Sequence, residues 1–362
     1  MPDRSDIRLR AAQLLADFEN AGALVVDPPL LQPAGLLLDL YGEDIRARAY
    51  VTSDGLRGEQ MLRPDFTVPV VQMHMRDGAE PARYTYAGEV FRRQEHDPDR
   101  ANEYVQVGYE IFDRDNSAAA DAEVFALMAN SVAGLGLRAA TGDIGILMAA
   151  VEGLKTTARR KAALMRHIWR PRRFRALLDR FAHRVPVPQS RQALLSTEGV
   201  LTDADVEIGK RSRAEIDERI AALREDAVAP PIAENELLAL ETLMAVRETV
   251  PYALEQMRDI AVDLPSISAA LDRLEARSVA LAARGVDVQH LDFEVSYGRT
   301  SMEYYDGFVF GFYAETRPDL PPIASGGRYD ALTRQLGQGA EIPAVGAVLR
   351  PDLMLMLEKA SS

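Results

Sequence analysis

At 362 residues the chain is long enough to bury a large core, as one big domain or two moderate ones. Its formal net charge of -13 opposes a general affinity for nucleic acid, which rests on Lys and Arg neutralising phosphates, and the lack of cysteine excludes disulfides and thiolate metal sites. The opening stretch MPDRSDIRLRAAQLLADFEN is too charged for a signal peptide and no apolar run approaches a membrane span, so a soluble, cytoplasmic protein is expected.

Ile7, Ala11, Leu14, Leu15 and Phe18 recur at helical spacing, which predicts an amphipathic helix over 5–21 closed by Gly22. Residues 23–31 read as a strand ending at Pro28-Pro29, since a double proline cannot sit inside a central ladder. Residues 48–52 and 59–70 follow, separated by the turn signal Ser53-Asp-Gly55, and a helix is expected from Val68 to Met75 with Asp65 as its cap. Residues 83–95 alternate as a strand, with Tyr84, Tyr86, Gly88 and Val90 on one face and Thr85, Ala87, Glu89 and Phe91 on the other. After the polar segment 96–101 the run 102–112 returns as a second strand, so this is a long hairpin with a charged tip. On the returning strand Gln106 and Glu110 share a face, whether that face meets solvent or a site.

A long helix is expected from Ser117 to Leu137, ended by Gly134 and Gly136. Residues 151–284 carry few strand signals and many prolines, and read as helices. Within them 155–191 is markedly basic, either as a solvated face or as a docking patch for an acidic or phosphorylated partner. Strand character returns over 289–296 and 304–313, followed by 324–332 and 342–349.

Strand, Phe91-Arg92, charged loop, then Gln106-x-Gly-x-Glu110 on a returning strand resembles motif 2 of class II aminoacyl-tRNA synthetases of the histidyl type. The helix, strand and proline at the start are similar to motif 1, which builds the dimer interface in that family. Leu62-Arg-Pro-Asp-Phe-Thr67 is similar to its Leu-Arg-Pro-Glu-x-Thr segment, with Asp65 one methylene shorter. Tyr304-Tyr305, Gly326-Gly-Arg-Tyr-Asp330 and Pro343-Ala-Val-Gly346 match its later segments in order. The resemblance implies an α+β fold: a class II synthetase-like antiparallel sheet flanked by helices, from 1–150 and 285–362, with 151–284 as a mainly helical insertion. No anticodon-binding domain is expected. It also implies a pocket for free L-histidine, with Asp65, Thr67 and Gln106 at the ammonium group, Glu110, Tyr304, Tyr305 and Tyr329 around the imidazole, and Arg92 toward the carboxylate or a phosphate.

Forming an adenylate needs fixed cations around the reacting anions. Arg92 stands for the family's motif 2 arginine. Counting without gaps, the histidyl-specific arginine falls on Thr300, with Arg299 one place off, and the motif 3 arginine falls on Leu353, with Arg350 ahead of Pro351. Gln94 replaces a glutamate. A histidine-type pocket without those cations resembles the regulatory-subunit family of ATP phosphoribosyltransferase. That implies no catalytic residues, metal or cofactor of its own, a short-form catalytic subunit as partner, histidine feedback, and a homodimer within a hetero-octamer, with neither tRNA nor membrane bound. Two other readings are a synthetase-like enzyme making histidyl adenylate for a non-tRNA acceptor, with Arg299 or Arg350 supplying the charge, and an RNA-binding regulator using 155–191.

Overall fold

The computed structural model describes residues 2–35, 48–94, 100–196, 211–299 and 304–361. Helix α1 (Arg4–Asn20) starts where the Asp3 carboxylate accepts from the Ser5 amide at 2.8 Å, and it buries Ala11, Leu14 and Phe18. Gly22, at φ +96°, turns the chain out of it. Strand β1 is only Leu24–Val25, shorter than the run 23–31 suggests. Pro28 and Pro29 have no N–H to extend the ladder, and the Pro28 carbonyl instead accepts from the buried Arg63 guanidinium at 2.6 Å.

A small sheet of order β2-β4-β3 follows, from β2 (Leu31–Pro33), β3 (Val51–Asp54) and β4 (Gly58–Leu62). Helix α2 (Thr67–Asp77) leads to the hairpin of β5 (Ala82–Phe91) and β6 (Glu103–Phe112), whose register sets Tyr84 opposite Glu110 and Gly88 opposite Gln106. Residues 95–99 of its tip lie outside the described residues. The chain continues through α3 (Ser117–Ser131), β7 (Arg138–Asp143) and α4 (Ile144–Gly153).

Residues 154–291 are then helical apart from one short strand, among those described. They comprise α5 (Ala158–Arg166), α6 (Pro171–Phe181), α7 (Gln189–Ser196), α8 (Arg213–Val228), α9 (Glu234–Ala245), β8 (Arg247–Thr249), α10 (Val250–Ile260) and α11 (Ser268–Ala283). The remaining elements are β9 (Asp292–Glu294), β10 (Phe308–Tyr313), β11 (Ala324–Arg328), α12 (Asp330–Leu336), β12 (Ala344–Leu349) and α13 (Pro351–Ser361).

The nine-stranded main sheet has the order β1-β5-β6-β12-β11-β10-β7-β9-β8. It is antiparallel through its centre, with parallel pairs β1–β5 and β7–β9 toward the ends, so the sheet is mixed. One face carries Val107, Tyr109, Phe308, Phe310 and Phe312, and it is covered by helices: Phe18 meets Tyr109 at 5.4 Å and Phe125 of α3 meets the three phenylalanines at 5.1–6.2 Å. The other face carries Tyr84, Tyr86, Gln106, Glu110 and Gly346.

A buried ionic cluster fixes the helical layer to the sheet. The Arg277 guanidinium on α11 reaches Asp121 of α3 at 3.2 Å and Asp143 at the end of β7 at 2.6 Å, while Arg328 at the end of β11 binds Asp121 at 2.7 Å. The basic run 155–191 is likewise matched from within the chain. Arg160 and Arg180 hold Asp226 at 2.6 and 2.9 Å, and Arg175 and Arg184 hold Glu241 at 2.7 and 2.8 Å. Among the described residues no helix is long and apolar enough to cross a membrane.

Arg277→Leu would leave two buried carboxylates without their shared cation. A loss of about 3–5 kcal/mol is expected, read as a lower urea midpoint at unchanged slope.

Candidate functional site

Glu110 is 1% exposed and accepts hydrogen bonds from three hydroxyls. Thr67, at the start of α2, donates to Oε1 at 3.1 Å, and Tyr86, on the neighbouring strand, donates to the same oxygen at 2.7 Å. Tyr329, just past β11, donates to Oε2 at 2.5 Å. Burial pushes the carboxyl up to about 7, against the three hydroxyl donors, which favour the ionised form, and with the nearby Asp65 charge adding to the rise.

Room for this carboxyl exists because side chains are left out around it. A Cβ on Gly346 would lie 1.4 Å from Glu110 Oε2, and one on Gly108 would lie 2.2 Å from the Tyr86 ring. Tyr86 is held flat by Phe66, stacked at 4.2 Å, and Phe66 carries the Arg63 guanidinium at 3.7 Å on its ring.

The other predicted residues adjoin this cluster. Tyr304 meets Tyr329 edge-on at 6.1 Å and Tyr305 at 4.9 Å. Asp65 is buried, with its Oδ2 3.7 Å from Arg92 Nη2, and it accepts from the Val68 amide at 3.4 Å, but the N-cap of α2 is Phe66 and not Asp65, because the helix starts at Thr67. Arg92 is steadied by the Pro64 carbonyl at 2.7 Å. Arg92, Gln106 and Tyr305 line a cavity of about 850 Å³, and Gln106 Oε1 is buried there without a hydrogen-bond partner. Thr67, Glu110, Tyr329, Tyr304 and Tyr305 are thus linked by successive contacts and Asp65 is paired with Arg92, while of the predicted residues Arg92, Gln106 and Tyr305 line the cavity. Tyr86 and Gly346 adjoin Glu110, and Tyr297 and Tyr313, whose hydroxyls meet at 2.7 Å, stand in the cavity wall. Sequence reasoning had placed Tyr86 only as a strand residue facing the same side.

The cationic positions fall differently. Arg299 falls between the strands, as the expected bounds 289–296 and 304–313 have it. It lies in the turn after β9 and points into the helical layer, donating to the Ile168 carbonyl at 2.7 Å. Thr300 lies outside the described residues. Arg350 does line the cavity, but Asp352 engages its guanidinium at 2.8 Å and the Tyr104 ring lies 3.7 Å beneath it. Leu353 is buried. Gln94 lines the cavity and turns its amide to the Arg92 carbonyl at 3.3 Å. No cluster of three or more His, Asp or Glu side chains suited to a metal occurs among the described residues. Chemically, the set offers a deep hydrogen-bonding carboxyl, an unpaired amide oxygen and one arginine held by Asp65, an arrangement for gripping a small polar molecule.

The family model for histidyl-tRNA synthetase matches residues 2–214 and 212–353. An ATP phosphoribosyltransferase regulatory subunit of Brucella anthropi is 30% identical, with 95% of this chain and 96% of that protein covered. One from Sinorhizobium medicae is 32% identical over 94% and 95%. Among solved structures, an ATP phosphoribosyltransferase regulatory subunit/histidyl-tRNA synthetase from Bacillus halodurans has a TM-score of 0.67 at 21% identity, covering 99% of this chain and 81% of that one. The histidyl-tRNA synthetase of a Nostoc species has a TM-score of 0.64 at 17% identity, covering 98% and 73%. Both share the class II synthetase fold.

Because the folded Glu110 carboxyl holds its proton up to about 7 while an unfolded one loses it near 4.5, the site's contribution to stability is complete below that lower pH and is lost as pH rises through 7. The loss amounts to about 3 kcal/mol. Glu110→Gln removes this component, so the difference in urea stability between the two proteins traces it. Asp306, also pushed up to about 7 by burial, is common to both and cancels.

Proposed function

The chain belongs to the ATP phosphoribosyltransferase regulatory subunits, a family with the histidyl-tRNA synthetase fold, and we propose that its inherited pocket is the sensor through which L-histidine restrains the enzyme. As a regulatory, non-catalytic subunit it serves histidine biosynthesis together with a catalytic ATP phosphoribosyltransferase subunit. The observation that carries the sensor reading is the buried Glu110 carboxyl with its hydroxyl donors, on the same sheet face as an unpartnered Gln106 oxygen that lines the cavity.

Each part of free histidine finds a complement. Glu110 titrates near 7 and a free imidazole near 6.5, so at neutral pH the two groups share a proton in a charge-assisted hydrogen bond. Tyr304, Tyr305 and Tyr329 enclose the ring. Gln106 Oε1, Asp65 and Thr67 suit the ammonium group, and Arg92 suits the carboxylate. Adenylate chemistry is disfavoured, because Arg299 points away and Arg350 is neutralised by Asp352. RNA binding through 155–191 is disfavoured by the pairing of that run with Asp226 and Glu241.

Feedback then follows from differential affinity: histidine favours an inactive arrangement of the assembly, and substrates weaken histidine binding by the same factor. The assembly we envisage is cytoplasmic, a hetero-octamer built on homodimers of this chain with the short-form catalytic subunit. Dimer pairing is assigned to the β1 edge, where Leu24, Leu30, Leu31 and Val51 are exposed.

Calorimetric titration with L-histidine, alone and with the short catalytic subunit, tests the sensor. Glu110→Ala is expected to weaken binding about 10- to 100-fold and to abolish histidine inhibition of the mixed enzyme. Binding seen only in the mixture and indifferent to Glu110 would relocate the sensor to a subunit contact. For the dimer, Leu31→Glu is expected to yield monomers in sedimentation, and an unchanged dimer would move the interface elsewhere.

A further inference from the structure

Tyr297, Gly298 and Tyr305, between β9 and β10, stand in the cavity wall, and part of the anchorage of the described residues here comes from the helical layer. The turn between α5 and α6 approaches it twice. Arg299 Nε donates to the Ile168 carbonyl at 2.7 Å, and the Trp169 indole N–H donates to the Tyr305 carbonyl at 3.2 Å. The Ser296 hydroxyl donates to the Met244 carbonyl of α9 at 2.9 Å. Other holds come from the sheet and its connections: the Asp306 amide donates to the Arg328 carbonyl at 3.0 Å, the Gly307 carbonyl accepts from the Ile144 amide at 2.9 Å, the Asp306 carboxylate accepts from the Asp330 and Ala331 amides at 3.0 and 2.6 Å, and the Tyr297 and Tyr313 hydroxyls meet at 2.7 Å.

Arg299 is an unusual choice for packing alone. It is 5% exposed, its guanidinium lies 4.7 Å over the Phe174 ring, and among the described residues no carboxylate pairs with it. Its Nη2 is buried without a hydrogen-bond partner, and burial lowers its pKa to about 10. A hydrocarbon side chain would cover Phe174 without that desolvation penalty. What the guanidinium adds is a directional grip on the Ile168 carbonyl, next to the residue that holds Tyr305.

We propose that Arg299 and Trp169 are positioning residues for the ligand pocket, fixing the backbone of Tyr305 from the helical layer so that ligand occupancy and the posture of the α5–α6 turn are coupled. The inference rests on the pocket being the histidine site. By reciprocity, whatever binds or shifts the α5–α6 turn changes histidine affinity, and histidine changes that turn.

The chain contains a single tryptophan, so growth with fluorotryptophan places one fluorine label in this clamp. The full chain, alone and mixed with unlabelled catalytic subunit, is titrated with L-histidine in parallel by calorimetry and fluorine resonance. The expected result is a resonance shift with the midpoint of the heat. Trp169→Phe removes the N–H but keeps the apolar contact, and together with Arg299→Met it is expected to weaken histidine binding about fivefold each. Histidine heat with an unmoved resonance would overturn the clamp, whether or not either variant folds. So would unchanged affinity in both folded variants. Absence of heat from the wild-type chain in both settings would instead fail the histidine reading itself, and the clamp with it.

Discussion

The carboxyl of Glu110 is the constraint on which the rest of the site depends. Burying it is costly unless its oxygens are supplied with donors, and those donors are hydroxyls from three separate elements. Thr67 comes from the start of α2, Tyr86 from β5 and Tyr329 from the end of β11, so one side chain ties the opening of a helix to two strands that are not neighbours. Each donor reaches only if the register is right. A slip of one residue in β6 would turn Glu110 to the helical layer, where Val107, Tyr109 and Ile111 belong.

Elsewhere the molecule treats its cations conservatively. Arg277 and Arg328 are used to fasten helices to the sheet, and the long basic run is matched by acids on α8 and α9. Inside the cavity the same habit has a chemical consequence. Arg350 is answered by Asp352, Arg299 grips a backbone carbonyl in the helical layer, and Leu353 is apolar. Gathering and stabilising extra negative charge needs preorganised cations free to face it. At the two positions compared, Arg299 and Arg350, neither guanidinium is left to face a ligand in that way.

Much of this was legible in the sequence where local periodicity governs. The alternation of 83–95 and 102–112 gave the hairpin, and the spacing of four between Gln106 and Glu110 set both on one face, as the register bears out. The α+β fold followed from the same motifs. Less legible were features that depend on distant chain. The role of the Tyr86 hydroxyl appears only once β5 and β6 are paired, and Gly346 matters because β12 lies against Glu110. Asp226, which neutralises Arg160, lies 66 residues further on. Arg299 lies in a turn, so its side chain leaves in a direction that strand alternation does not describe. The strand over 23–31 shrank because its prolines have no donor to pair.

The glycines beneath the pocket carry a further consequence. Gly108 and Gly346 lie within strands without left-handed backbone, so the backbone conformation alone would accept an alanine at either place, and the objection comes from the Tyr86 ring and the Glu110 carboxyl. The space made by these omitted methyl groups holds the Tyr86 ring and the Glu110 carboxyl, both of them part of the buried scaffold. A single alanine there would displace the Glu110 carboxyl or the Tyr86 ring, and so reach the hydroxyl network that ties α2, β5 and the end of β11 together. Glycine at these two strand positions is therefore demanded by side-chain packing rather than by backbone conformation, and the demand would lift only if Glu110 or Tyr86 changed with it.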